Sequence, residues 1–291
     1  MILKALSSRG YKPQSSNYGD CILIDTGNVL IIYDCGSEEH AQRVEDYMAE
    51  HGYKQAIAIL SHNDSDHYDG FPYLIDKKLI SVFYAQLFLK HKDEILKKLD
   101  DGRVTTKSLG ERIKEDYDNI AELGGKVNLE DAIELGEIIS SVNIVGPDKD
   151  YALETVAKYL DSREGDTKDM ESAYNAASVQ VSVLVNDRQV LLCGDAAFAA
   201  IEEKLADYSV IQLPHHGKGE TADKIFEAKS DVVFDTVYLV SDNTGDSNGG
   251  SHKLKRYGKK IKSTLDGDII FPDTINNVPI VTRTLGKVKP R

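Results

Sequence analysis

Apolar positions along this chain fall into short dense runs, separated by longer stretches in which they recur every three to four residues. Runs rich in Val, Ile and Leu that stop at Gly, Asp or Pro read as buried strands, and the three-to-four spacing reads as amphipathic helix. The segment "CILIDTGNVLIIYDCG", residues 21–36, predicts two short strands joined at Thr26-Gly27-Asn28, a hairpin signal. "EEHAQRVEDYMAEHG" predicts a helix stopped by Gly52, and "QAIAIL" after it predicts a strand apolar on both faces. From about residue 76 to 135 the pattern turns helical and strongly charged, as in "HKDEILKKLDDG" and "SLGERIKEDYDNIAELGG". Strand signals return in "EIISSVNIVGP", "SVQVSVLVNDRQVLLCGD", "YSVIQLPHHG", "DTVYLVSD" and "DIIF". Interleaving of this kind predicts a layered α/β architecture with helices covering sheets. No Pro- or Gly-rich linker divides the chain, so the expectation is one domain over 1–291 carrying a helical insertion at about 76–135.

Composition narrows this picture. With 291 residues, 41% of them apolar, the chain can bury a substantial core. No apolar run approaches the ~18 residues needed to cross a bilayer, and the first residues do not read as a secretory signal. Cys21, Cys35 and Cys193 sit in strand-like contexts, as buried reduced thiols of a cytoplasmic protein would. A formal net charge of −13 disfavours a broad electrostatic hold on long nucleic acid duplexes.

Candidate chemistry concentrates where strands end. "SHNDSDHYDG", directly after "QAIAIL", packs His62, Asp64, Asp66 and His67 into six positions. On an extended or loosely turning loop His62, Asp64 and Asp66 converge while His67 points to a neighbouring place, so the loop can serve two metals. Asn63-Asp64-Ser65-Asp66 also has turn chemistry. Turn chemistry alone does not explain Asp195 at the end of "QVLLCG", nor His215 and His216 at the end of "VIQLP", in a chain with only eight histidines. Downstream, Lys253, Arg256 and Lys260 are spaced to share a helix face, either a solvated face or a grip on substrate phosphate.

These motifs resemble the metallo-β-lactamase-fold hydrolases. His62-x-Asp64-x-Asp66-His67 is similar to the family's H-x-H-x-D-H, with Asp64 in place of the second histidine, a version associated with the hydrolase domain of the ComEC DNA-uptake channel. "NYGDCILI", "LIIYDCG", "NAASVQVSVLV", "LLCGD" and "LPHHGKGET" resemble further motifs of that branch in the same order. Tyr18 and Lys218 depart from it, standing where glutamine and serine are usual, and the insertion matches nothing in it.

The resemblance implies an αββα sandwich of two mixed sheets flanked by helices, with two divalent metal ions, Zn2+ or Mn2+, at one edge. It puts His62 and Asp64 on one metal, Asp66 and His67 on the second, and Asp195 between them. His215 is the first choice for the remaining ligand at the second metal, with His216 next as ligand or substrate-binding imidazole. Asp66 also orients the attacking water. Asp20 and Asp34 are expected to accept imidazole N–H bonds, Asn175 and Ser178 to occupy the N-x-x-S positions, and His252 to protonate a leaving oxygen. The leading function is a phosphodiesterase or nuclease acting on nucleic acid or small nucleotides, short single strands or cyclic nucleotides before long duplexes. Ester, thioester or lactone hydrolysis is the alternative. A regulatory module in a larger, possibly defence-related assembly is another, with the insertion as the surface for a protein partner or a second copy. Tyr84 and Gln86 reach substrate only if the insertion folds over the metals.

Overall fold

The computed structural model describes residues 1–7, 18–99, 104–116, 118–134, 136–162, 171–230, 236–242, 251–256 and 258–272. The first half of the chain contributes β1 (Ile2–Ala5), β2 (Ile22–Asp25), β3 (Leu30–Tyr33), β4 (Ala56–Ile59), β5 (Ile80–Ala85) and β6 (Asn128–Asp131). The rest of the chain contributes β7 (Gly136–Ile139), β8 (Val142–Gly146), β9 (Gln180–Val185), β10 (Arg188–Leu192), β11 (Val210–Gln212), β12 (Val237–Val240), β13 (Lys260–Ser263) and β14 (Ile269–Phe271). They form two seven-stranded sheets, ordered β14-β1-β2-β3-β4-β5-β6 and β13-β12-β11-β10-β9-β8-β7. Each sheet is mixed in the same way, with antiparallel pairings along one side giving way to parallel pairings at β3/β4 and at β10/β11.

Alternation along the strands explains the layering. Ile22, Ile24, Ile31, Tyr33 and Ile59 of the first sheet meet Val181, Val183, Val190, Leu192 and Val210 of the second in a core between the sheets. Their neighbours Leu23, Leu30, Ile32 and Ala58 face outward and pack under Val44, Met48 and Phe71 of the covering helices. The second sheet repeats the arrangement with Leu191, Ile211 and Tyr238 beneath Ile225 and Phe226. Both faces of the central strands are therefore buried, which is why they read as continuous apolar runs rather than alternating ones. The fold is the expected α/β sandwich with helices outside.

The predicted helix runs from Glu38 to His51, capped by the Ser37 side chain on His40 N–H and ended by Gly52 at φ 79°. The helical reading of 76–135 needs correction. β5 and β6 belong to the first sheet and pair in parallel, so the helical excursion spans the interval between them, with helices at Lys92–Lys98, Thr106–Asp116 and Asp118–Glu122. Among the described residues, no helix is long and apolar enough to cross a membrane.

Candidate metal centre

Strand ends of both sheets deliver the candidate ligands to one crevice. Asp34 follows β3; Ser61 and His62 lie just beyond β4, and Asp64 caps the four-residue helix Ser65–Tyr68 that carries Asp66 and His67. From the other sheet, Asp195 comes two residues after Cys193 at the end of β10, and His215 and His216 come just after β11. These are carboxyl ends of parallel strands, the edge where α/β sheets form binding crevices. Two local features make the approach possible. A Cβ on Gly36 would sit 1.8 Å from the Asp66 carbonyl oxygen, so only glycine lets the two segments pack. His215 and His216 both hold left-handed backbone, at φ 53° and 54°, at a cost of about 1–2 kcal/mol per residue.

The side chains form two groups that share Asp195. In the first, His62 Nε2 lies 3.5 Å from Asp64 Oδ2 and 3.9 Å from Asp195 Oδ2, with His215 Nε2 on the same oxygen at 3.7 Å. In the second, His67 Nε2 lies 3.3 Å from Asp195 Oδ1, and His216 Nε2 lies 2.9 Å from Asp66 Oδ2. Most of these groups are buried, but the Asp64 side chain is 52% exposed and opens the first group to solvent.

Electrostatics say what the cluster needs. Burial pushes the His67 and His216 pKa values down, but Asp195 and the other surrounding carboxylates outweigh it and raise both well above the usual imidazole range. Conversely, the Asp66 and Asp195 carboxyls are held low by neighbouring imidazoles in spite of burial. The crevice therefore draws positive charge. His62 Nε2, His67 Nε2 and Asp195 Oδ1 are also buried without a hydrogen-bond partner, and a polar atom left so costs about 1–3 kcal/mol. Nitrogen lone pairs and carboxylate oxygens converging without partners fit divalent cations. Ligand atoms of His62, His67 and Asp195, and separately of Asp20, His67 and His216, lie within 4.8 Å of one another.

The surrounding contacts fix which imidazole nitrogen faces the crevice. His67 Nδ1 donates to Asp34 Oδ2 at 2.9 Å, while Asp34 Oδ1 accepts from Ser61 N at 2.7 Å. His216 Nδ1 is shared between Asp20 Oδ1 at 3.0 Å and the Ser241 carbonyl at 3.1 Å. Both oxygens of Asp20 are engaged, the second by Gln212 Nε2 at 2.8 Å. His62 Nδ1 lies 3.2 Å from Ser178 Oγ, which also accepts from Asp195 N, and Asn175 Nδ2 donates to Asp195 Oδ2 at 3.4 Å.

Two residues of this shell have no local sequence signal. Gln212 Oε1 accepts from Cys193 N and Gly194 N at 2.7 and 3.0 Å, clasping the chain just before Asp195. Glu171, 1% exposed, accepts from His215 Nδ1 at 2.5 Å and from Lys218 Nζ at 2.6 Å. The lysine that departs from the ComEC-like pattern is thus tied to the same carboxylate as His215.

Other expectations change. The geometry puts His216, not His215, beside Asp66, reversing the expected order, and leaves His215 at the rim next to Asp195. His252 is exposed on the turn at residues 251–253, and the glycine-rich stretch before it, 243–250, lies outside the described residues. Among the described residues, no helix presents Lys253, Arg256 and Lys260 on one face. Lys260 opens β13, Arg256 donates to buried Asp242 at 2.9 Å, and Lys253 approaches Glu220 at 3.5 Å. The helical excursion touches the centre through Asn119, whose Nδ2 donates to Asn63 Oδ1 at 2.6 Å. Gln86 reaches the Ala177 carbonyl at 2.5 Å, and Tyr84 lies within β5 on the first sheet.

Comparison with known proteins agrees with the fold. Tm1679, a metal-dependent hydrolase of the β-lactamase superfamily, superposes with a TM-score of 0.51 at 13% identity, over 92% of this chain and 98% of its own. Igni18, a metallo hydrolase from the archaeon Ignicoccus hospitalis KIN4/I, gives 0.48 at 12%, over 93% and 99%. A diphosphatase of the PhnP family gives 0.47 at 12%, over 93% and 98%. No curated protein matches the sequence. The profile of the Metallo-beta-lactamase superfamily matches residues 17–238, which contain the whole cluster from Asp20 to His216, and the chain belongs to that superfamily.

Proposed function

We propose that the protein is a dinuclear metal-dependent phosphodiesterase acting on nucleic acid or small nucleotides, with Zn2+ or Mn2+ as its ions. The observation that carries this reading is Asp195, which offers one carboxylate oxygen to each of the two ligand groups. His62, Asp64 and Asp195 would hold one ion, and Asp66, His67, His216 and Asp195 the other. A pair of divalent ions there supplies Lewis-acid charge and a water acidic enough to attack near neutral pH, chemistry suited to in-line displacement at phosphorus. Three aspartates among the ligands make the site harder than an all-histidine one and favour manganese alongside zinc.

The chain's own groups do the rest. Exposed Asp64 marks the side from which substrate enters. His215, with Nδ1 held by Glu171, keeps its other ring nitrogen beside Asp195 at that rim, where it can donate to a phosphoryl or leaving oxygen. The resemblance of the H-x-D-x-D-H motif to a DNA-degrading domain supports a nucleic acid substrate, and the net charge of −13 favours short strands or cyclic nucleotides.

The test is elemental analysis together with cleavage of fluorescent single-stranded DNA, RNA and a generic phosphodiester under Mn2+ or Zn2+, for wild type and Asp66→Ala. About two metals per chain and cleavage lost in Asp66→Ala are expected. Bound metal with no phosphodiester cleavage would refute the reading and leave ester or lactone hydrolysis.

A further inference from the structure

Among the described residues, Tyr18 is the one aromatic side chain that is exposed, at 37%, and every other described Tyr or Phe is buried or half-buried. Singly exposed apolar side chains are ordinary on surfaces, so its place is what counts. Its hydroxyl shares a hydrogen bond of 3.0 Å with Ser65 Oγ, and Ser65 stands between Asp64 and Asp66. The backbone that follows is fixed to the same loop. Asp20 N–H donates to the Asp66 carbonyl at 2.9 Å, and a Cβ on Gly19 would lie 2.5 Å from that oxygen. On the other side of Asp64, Asn63 is held by Asn119. The exposed Asp64 carboxylate therefore opens between two tethered neighbours, and one of the tethers is the exposed tyrosine.

We propose that Tyr18 stacks on a nucleobase of the substrate, beside the phosphodiester at the metal ions, so that the substrate class is a base-bearing nucleotide or short single strand. This rests on the phosphodiesterase reading and adds to it the group that is recognised. Aromatic side chains bind single-stranded nucleic acid by stacking on its bases, and a ring already held by its hydroxyl has less freedom to lose when it does so. Glutamine is usual at this position in the ComEC-like pattern, so the ring is a feature of this chain. A tyrosine that only braced the loop would need its hydroxyl, whereas stacking needs the ring.

Calorimetric titration of the metal-loaded protein with a thymidine dinucleotide joined by a phosphorothioate tests the proposal. Wild type should bind it saturably. Tyr18→Ala should weaken binding about tenfold, as loss of one stacked base does, and Tyr18→Phe should stay within about twofold of wild type, with metal content unchanged in both. The chain contains no tryptophan, so Tyr18→Trp reports from this position alone. Its fluorescence should be quenched saturably by the dinucleotide and not by dimethyl phosphate at the same concentrations. Equal weakening by alanine and phenylalanine would make Tyr18 a brace of the loop, and unchanged binding in Tyr18→Ala would put the base elsewhere; either result overturns the proposal. So does a wild type that binds no dinucleotide. Failure of the phosphodiesterase reading shows separately, as metal-loaded protein that cleaves no phosphodiester whatever its affinity for the dinucleotide.

Discussion

Replacing Asp34 separates folding from metal binding. Its carboxylate is fully buried and serves two donors, Ser61 N–H at 2.7 Å and His67 Nδ1–H at 2.9 Å, from a backbone at φ 58°. Burial raises its pKa, and His67 and the Ser61 N–H act against that rise by favouring the carboxylate. Asp34→Ala strands both donors in the interior, at about 1–3 kcal/mol each. It also places alanine in left-handed backbone, for about 1 kcal/mol more. A loss of at least about 3 kcal/mol is expected in urea unfolding of the metal-free protein. Asp34→Asn keeps an oxygen for Ser61, and asparagine tolerates the backbone, so the loss should stay near about 1 kcal/mol. Its amide N–H, however, meets His67 Nδ1 and drives the imidazole proton to Nε2, the nitrogen that faces Asp195 Oδ1. Metal affinity measured by chelator competition should fall about 10–100-fold. Wild-type affinity in Asp34→Asn, or equal destabilisation by the two variants, would refute the tautomer argument.

Two further outcomes are expected. His40 is fully buried in the Glu38–His51 helix, and burial lowers its pKa to about 4. The folded chain keeps it neutral while the unfolded chain takes up a proton, so stability is whole above about pH 6.5 and falls as pH drops from there towards 4. His40→Leu should shrink the stability difference between pH 7 and pH 5 by about 2 kcal/mol in urea titrations, and an unchanged difference would show that other groups carry it. Glu171→Gln, which weakens the hold on His215 and Lys218, should lower kcat for a cleaved phosphodiester about tenfold or more with metal content retained. Unaltered kcat would remove His215 from the reaction.

The legible parts of the sequence were those whose signals are local. Apolar runs ending in His or Asp marked β4, β10 and β11 and the crevice at their ends, because a buried strand and its following ligand are neighbours in the chain. Asp20 and Asp34 each accept from an imidazole. β5 was hidden by charged helices after it, and β13 by a lysine spacing that suits a helix as well as an edge strand. Gln212 and Glu171 had no sequence signal, because their roles come from contacts with residues 192 and 44 positions away. The choice between His215 and His216 rested on two successive left-handed residues, and no residue preference announces such a pair.

The pairing of β14 with β1 joins segments far apart in the chain and therefore in synthesis, with Leu3 opposite Phe271 and Ala5 opposite Ile269. Every described strand of the second sheet precedes β14 in the chain, so a nascent polypeptide can assemble that sheet while the first still lacks its outer strand. Until Phe271 clears the ribosome, β1 has one paired edge and one open edge, and the first half of the metal crevice rests on an unfinished sheet. Such an open edge invites pairing with other chains. Solubility during translation should therefore depend on how quickly β14 arrives, after which β1 is paired along both edges and the open edge passes to a strand of three residues.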